Sequence, residues 1–560
     1  MKNGKILPLL LAGAMSLSAL AGCSSSDAPA SSAPASSAPS GSAAPASSAA
    51  AGSAASSEDA APAAEGVSYP IVTDNSVTLS YWMEINGSAS KYISSYAENT
   101  AWQEIQKKTG VNIEFIHPAI GQVKEQFNLL MVSGNLPDLL ANAENYKGGE
   151  FQGMIDGFFM DVTGLLPQYA PDYWSYIQND EEFFREVSNE EGRICSFYAY
   201  KPYGDPPFQR IILRQDVLDE LGKEIPKTIA DYEELFDAML AAGITPYMLA
   251  KNGYEIQFEG PFNVAAQANT FFKNEEGKVV FGQVEPGFKD YLAKMNEWYQ
   301  KGYISKDFTS VDNNQIQTLF DTKKLGTFTG AIVANFNRAS TQGFEVTSAP
   351  YPRMEEGQQL HHESTNIWPL QGRGSMMAVI TKDCKQPEIA AQFLNYGYTQ
   401  EGADLMNWGV EGINYEVVNG EKVYNDLMLN NEKFGTEEAS YIYKLHFAPK
   451  ATEFDVVCHA NLLKSPDSLA SRFKWADDDK VDSEYQLPPF QLTTDEQTKK
   501  TKLMTEINTY TDEMVLKFIT GAESLDRFDE FVAAIKGMGL DEVLQIQQTA
   551  YDRYMQKKLG

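Results

Sequence analysis

Between Val77 and Leu140 the apolar residues switch back and forth between a spacing of two and a spacing of 3.6, and that alternation leaves few folds open. Val77-Thr78-Leu79-Ser80-Tyr81-Trp82-Met83 reads as a strand. Asn99 caps a helix that runs through Trp102 and Ile105 to the stop at Gly110. Val111, Ile113 and Phe115 give a second strand ending at His117-Pro118. Val123, Phe127, Leu130 and Met131 then form the stripe of a second helix, Gly134 ends it, and Leu136 to Leu140 leads into a third strand. Such a βαβαβ run folds as a parallel sheet covered on both faces. Ligands of such sheets bind beyond the carboxyl ends of the strands. The rule singles out Trp82, Glu84 and Asn86 after the first strand, His117 after the second, and Asn142, Glu144 and Asn145 after the third.

A second α/β region begins at Arg210-Ile211-Ile212-Leu213-Arg214. Thr228 and Asp231 approximate a capping box, and Tyr232, Leu235, Phe236, Met239 and Leu240 give its helix an apolar stripe that stops at Gly243. Further helical patterns lie at 291–299, 387–396, 501–518 and 540–554. The fold class is α/β in two lobes.

The amino terminus belongs to neither lobe. Lys2 and Lys5 precede an apolar stretch from Ile6 to Leu20, and Leu20-Ala21-Gly22-Cys23 closes it. The stretch is shorter than the roughly 20 residues a spanning helix needs, and it has the layout of an export signal. It resembles a bacterial lipobox, which implies cleavage after residue 22 and acylation of Cys23; two or more acyl chains make a stable anchor. Residues 24–66 are mostly Ser, Ala and Pro and have no side chains able to build a core, so 23–66 is a tether. As a flexible coil it holds the folded part about 35–40 Å from the anchor. The net charge of −31 argues against nucleic-acid or anionic-lipid partners. Cys195, Cys384 and Cys458 are odd in number and widely spaced, which makes no disulfide framework and no metal pair.

Several elements in order carry a family resemblance: Asn135-Leu136-Pro137-Asp138; Gly157 to Thr163 with Tyr169-Ala170-Pro171; Leu213 to Gly222; Pro226-Lys227-Thr228; Gly277-Lys278-Val279 through Trp298 to Ile304; Ala390 to Tyr396 with Glu401-Gly402; Gly409 to Tyr415; and Gly539-Leu540 with Ala550 to Tyr554. With these the mature chain resembles an extracellular solute-binding protein of the oligosaccharide-binding type that serves ATP-binding-cassette (ABC) importers, in the LipO or LplA-like lipoprotein branch. The resemblance implies a two-lobed, periplasmic-binding-protein-like (type II, Venus flytrap) fold with three interlobe crossings. We place these near residues 200, 334 and 400, so that 67–200 and 335–400 form one lobe and 201–334 and 401–560 the other. Crossing segments absorb the rotation while the lobes stay rigid.

Relatives in this branch often carry a calcium loop after the helix that follows Pro-Lys-Thr. Here that place reads Ala241-Ala242-Gly243-Ile244-Thr245-Pro246-Tyr247-Met248, without carboxylates for a hard cation. Asp477-Asp478-Asp479-Lys480 lacks the ligand spacing and glycine of such a loop. His361-His362-Glu363 lacks the i, i+4 geometry of a zinc helix, and Gly372-Arg373-Gly374 lacks the lysine and hydroxyl of a phosphate loop. No metal and no cofactor is expected, and no catalytic residue stands out.

A pyranose offers an apolar face and a hydroxyl rim, so a sugar site takes flat aromatics and forked polar groups. The candidates for ligand contact are Trp82, Glu84, Asn142, Glu144, Arg214, Trp368, Arg373, Trp408 and Asn414. For each tryptophan core packing is the competing role, and for Arg214 it is bracing the hinge. The expected function is a monomeric, lipid-anchored receptor on the outer face of the bacterial cytoplasmic membrane that passes an oligosaccharide to the importer's permease subunits. Two alternatives stay open: a surface-anchored hydrolase or lyase, and a receptor for a non-sugar solute.

Overall fold

A computed structural model describes residues 66–201, 207–266, 270–361, 368–370, 372–452, 470, 474–475, 481–482 and 484–559. The leader, Cys23, the tether, Cys458 and the Asp477–Lys480 run lie outside the described residues. Among the described residues no helix is long and apolar enough to cross a membrane.

The first sheet is built from β1 (Thr78–Trp82), β2 (Asn112–Ile116), β3 (Leu139–Leu140), β4 (Ser196–Tyr198) and a late strand, Met377–Ile380, in the order β2-β1-β3-late strand-β4. β1 pairs in parallel with β2 from Thr78↔Asn112 to Trp82↔Ile116, and with β3 at Tyr81↔Leu139. The late strand runs antiparallel to both β3 and β4. Between β1 and β2, Asn99 accepts from the backbone N–H of Trp102 and caps helix 100–109, which ends at Gly110 with φ 73°. A β-carbon on Gly110 would stand 1.7 Å from the Val72 carbonyl oxygen, so both the turn and the close approach require glycine.

The second sheet comprises β5 (Gln209–Arg214), β6 (Thr245–Met248), and, after a two-stranded ribbon of β7 (Phe271–Lys273) and β8 (Val279–Phe281), β9 (Leu325–Ala331) and β10 (Val346–Ser348), in the order β10-β5-β9-β6. β6 is parallel to β9, whereas β5 is antiparallel to β9 and to β10. Helix 229–241 opens on a reciprocal capping box of Thr228 and Asp231 and buries Tyr232, Leu235, Phe236 and Met239. The late strand of the first sheet is β11, and a hairpin of β12 (Tyr415–Val418) and β13 (Glu421–Tyr424) follows it.

Two apolar cores result, and they redraw the lobe boundaries. The first joins 77–200 to Leu370–Met406 and to Ile442, Leu445, Ala448 and Ala451. The second joins 211–349 to Tyr485 and 504–543. Residues 335–349 therefore belong with the second lobe, because β10 pairs with β5, and 401–451 belong with the first. The second crossing lies between Ser348 and Leu370 and the third between Ala451 and Tyr485, where the sequence suggested 334 and 400. A three-residue strand paired across more than a hundred residues leaves no local periodicity to read. The crossings are themselves bridged: Tyr200 pairs with Leu370 and with Ala451, and Leu360 pairs with Val481.

Candidate functional site

The strand directions bring particular ends together. β4 is antiparallel to β11, as β3 is, so β1, β3 and β4 end on one rim, where β11 begins. In the second sheet the ends of β6 and β9 share a rim with the start of β5 and the end of β10. The chain leaves the first rim after Tyr198 and enters the second at Gln209; it leaves the second after Ser348 and re-enters the first before Met377. The connectors thus link the rims where ligand-binding side chains of such sheets stand.

On the first rim three of the nominated residues come together. The turn after β3 places Asn142 in the left-handed region (φ 60°), and its backbone N–H donates to the Gly374 carbonyl at 3.0 Å. Asn145 holds the same turn by donating to Asn142 O at 3.0 Å and to Glu144 Oε1 at 3.2 Å. Arg373, next to Gly374, donates from Nε to Glu150 Oε1 at 3.1 Å and lies 5.8 Å over the Tyr198 ring, at the outer edge of the ~6 Å reach of a cation–π contact. Burial raises the Glu144 pKa, and the charge of Glu150 adds to the shift. Burial opposes the Arg373 charge, but Glu150, Tyr198, Glu144 and Glu186 outweigh it and hold the guanidinium ionised.

Sequence reasoning missed Glu150, Tyr198, Glu186 and Gln491. Glu150 is 1 % exposed, and its Oε1 accepts from Tyr198 Oη at 2.8 Å, from Arg373 and from Gln491 Nε2 at 3.3 Å. Gln491 comes from the chain leading into helix 494–520 of the second lobe, so a second-lobe segment touches the first rim at this carboxylate. Glu186 accepts from the Leu370 backbone N–H at 2.5 Å, and burial pushes its pKa up to about 8. Nothing in the sequence marks these acids among the other carboxylates; only their burial does.

The remaining nominated residues sort by position. Trp82 ends β1 on this rim, yet its ring is 4 % exposed and packs edge-on against Phe127 at 6.0 Å. Glu84, two residues further, is half-buried, and burial raises its pKa. Trp368 is half-buried in the second crossing, beside Pro369, whose carbonyl accepts from Lys201 N at 2.8 Å. His117 is built into the turn, with Nδ1 donating to Met83 O at 2.8 Å and Nε2 accepting from Tyr96 N at 3.2 Å.

Arg214, Trp408 and Asn414 stand apart. Arg214 is at the carboxyl end of β5, which is the end of that sheet opposite the rim. Its Nε and Nη2 hold both oxygens of Asp216 at 2.9 Å, its Nη1 donates to Phe320 O and Asp321 O, and it covers Phe344 at 4.0 Å. Trp408, 1 % exposed, packs between Tyr415 and Tyr424 in a satellite core against the first lobe. Asn414 is fully buried, accepts from Val410 N at 2.6 Å and fixes the turn before β12. Trp408 and Asn414 belong to the first lobe, contrary to the sequence-based placement, so they cannot supply a second-lobe face.

Metal-type groups meet at one place among the described residues: His361, Asp482 and Glu484 bring ligand atoms within 4.8 Å of one another. They are partly or fully exposed, His361 Nδ1 is engaged by Asp482 at 2.8 Å, and the imidazole stacks on Tyr485. His362 and Glu363 lie outside the described residues. Where relatives have a calcium loop, this chain turns directly from helix 229–241 through Gly243 (φ 77°) into β6. Cys195 and Cys384 are free and buried, and burial pushes the Cys384 thiol up to about 11.

Residues 92–404 match the family described as bacterial extracellular solute-binding protein. The chain belongs to that family. Among curated relatives, this solute-binding protein is 23 % identical over 526 residues to the fructooligosaccharide ABC transporter substrate-binding protein FusA of Streptococcus pneumoniae, covering 88 % of this chain and 93 % of that one. It is 23 % identical over 372 residues to the polygalacturonan/rhamnogalacturonan-binding protein YtcQ of Bacillus subtilis, covering 63 % of this chain and 69 % of the relative. Lipoprotein LipO of Bacillus subtilis is 24 % identical over 353 residues, covering 59 % and 66 %. Two solved structures share the fold. One is the alginate-binding protein AlgQ2, at TM-score 0.60 and 21 % identity over 86 % of this chain and 99 % of that one. The other is a solute-binding protein from Bifidobacterium longum subsp. infantis, at TM-score 0.65 and 15 % identity over 85 % and 98 %. This solute-binding protein is therefore a two-lobed α/β receptor in architecture.

Proposed function

We propose that the chain captures an oligosaccharide between its lobes and delivers it to the permease subunits of an ABC importer, held at the outer face of the cytoplasmic membrane by acylated Cys23. The observation that carries the reading is the placement of Asn142, Glu144 and Arg373 on a rim that the crossings tie directly to the rim of the other lobe. A solute seated there touches both lobes only when they close, and closure is the signal a permease reads. FusA and YtcQ, which are named for sugars, support the choice of solute class. The lipobox-like Leu20–Cys23 and the resemblance to LipO support the anchor.

The test is a thermal-shift screen of the purified protein against neutral, acidic and amino-sugar oligosaccharides and short peptides, since a ligand that binds only the native state raises the melting temperature. A rise with sugars, and recovery of those sugars unshortened after incubation, is expected. Shortened sugars point to a hydrolase or lyase, and a rise with peptides alone overturns the sugar reading. Cys23→Ser is expected to leave folding and ligand binding intact and to move the protein from washed membranes to the soluble fraction; retention in membranes overturns the lipid anchor.

A further inference from the structure

The first rim contains acceptor oxygens that the protein leaves unanswered. Asn142, 7 % exposed, has an enclosed Oδ1 with no hydrogen-bond donor, and the Glu144 carboxyl, which the backbone N–H groups of Glu144 and Gly374 stabilise, has an enclosed Oε2 without a well-formed hydrogen bond. In the second lobe, Gln257 follows β6 and donates from Nε2 to the Gln209 carbonyl at the start of β5, at 3.4 Å. That side chain is 2 % exposed, and its Oε1 has no donor either. A buried acceptor left without a donor costs about 1–3 kcal/mol, and more when it is charged. Three such atoms, two on the first rim and one beside the start of β5 in the second lobe, therefore mark a demand for donors.

The cations nearby already have protein partners. Arg373 Nε is held by Glu150, and its guanidinium covers Tyr198. Lys557 donates to the carbonyls of Arg185, at 2.9 Å, and Ser188. On the second rim Arg210 lies over Tyr351 at 4.8 Å and donates to Ala349 O. A uronate carboxylate placed against Asn142 and Glu144 meets two acceptors and a like charge in a low-dielectric setting. A sugar hydroxyl meets what it needs.

We infer, resting on the sugar-receptor reading above, that the solute is an uncharged, hydroxyl-rich oligosaccharide whose hydroxyls donate to Asn142, Glu144 and Gln257, and that uronate oligomers are rejected by Glu144.

The experiment is calorimetry at neutral pH on the purified protein, with kestose, xylotriose and mannotriose as uncharged probes, trigalacturonate as the acidic probe and a glucosamine trimer as the cationic one. A retained-ligand assay on mixed pools of the same three classes, read by mass spectrometry, runs beside it. Preference for the uncharged class by at least tenfold is expected. Glu144→Gln and Asn142→Ala are expected to weaken that binding about tenfold, or about 1.4 kcal/mol, without lowering the melting temperature of the unliganded protein. Tighter binding of trigalacturonate or the glucosamine trimer overturns the inference and leaves the sugar-receptor reading standing. Equal binding by the two variants and wild type also overturns it. Retention of no sugar from any pool overturns both.

Discussion

Arg214 and Arg373 are both arginines paired with carboxylates at sheet ends, and the difference between their surroundings separates a brace from a candidate binding site. Around Arg214 every guanidinium direction that the structure resolves has an answer: two carboxylate oxygens, two carbonyls and an aromatic face. Around Arg373 the donors converge on one oxygen of Glu150, while Asn142 Oδ1 and Glu144 Oε2 have no well-formed hydrogen bond. The first arrangement is closed and stiffens the second lobe. The second remains open to a ligand. Chemical type and position beside a strand do not distinguish them; hydrogen-bond saturation does.

The comparison breaks most severely if the closed sites prove to bind ligand. Trp408→Ala removes a fully enclosed indole from between Tyr415 and Tyr424 and is expected to cost about 3–5 kcal/mol of stability. Below the lowered melting temperature its calorimetric affinity for sugar should match wild type; a tenfold loss would return Trp408 to the site. Arg214→Ala leaves Asp216 with Lys323 as its one remaining cation and strands two carbonyls, at an expected cost of about 3 kcal/mol by chemical denaturation, again with unchanged affinity.

Titration sharpens the contrast, because the two regions respond to pH with opposite sign. Glu186 has its pKa raised to about 8 in the fold, so the native state keeps a proton that the unfolded chain releases near the ordinary glutamate value. Its neighbourhood is therefore most favourable in acid and loses stability as pH rises from about 4.5 to about 8. Glu186→Gln should remove that loss and gain about 2–4 kcal/mol relative to wild type at pH 8. A variant with an unchanged pH profile would show the carboxyl to be ionised and solvated. At Asp216 burial works against the charge, but Arg214 and Lys323 hold the carboxyl down to about 2. Its contribution is present above about 4 and is lost as pH falls toward 2. Because Asp216 is partly exposed, solvent screening limits the effect to about 1 kcal/mol, visible as a flatter acid limb in Asp216→Asn.

The first sheet was legible because three of its strands and the helices between them follow one another within about sixty residues of sequence. Each element carried its own period, the two helices their glycine stops at Gly110 and Gly134, and the first helix its cap at Asn99. The rule about carboxyl ends then nominated Asn142 and Glu144 as candidates. The lobe boundaries were hidden because β10 and β11 reach their partners over long stretches of chain, and neither has a pattern that names its sheet. Glu150 was hidden for a different reason. Its importance comes from being enclosed among Tyr198, Arg373 and Gln491, contributed by segments as far apart as 150 and 491. Trp408 was misjudged because a tryptophan beside glycine and asparagine in a loop reads the same whether the loop lines a cleft or folds over its own small core.

The bridges among the crossings have a mechanical consequence. Tyr200 is laddered to both Leu370 and Ala451, and Leu360 to Val481, with backbone hydrogen bonds at Tyr200 N–Lys450 O, Thr452 N–Tyr200 O, Lys201 N–Pro369 O and Asp482 N–Leu360 O. Three separate strings would let the lobes twist, slide and tilt independently. A ribbon stitched across its width bends easily only out of its own plane, since twisting or shearing it breaks those bonds. If the lobes close on a solute as proposed, these bonds favour bending over twist and shear, so each capture would end with the same outer surface presented.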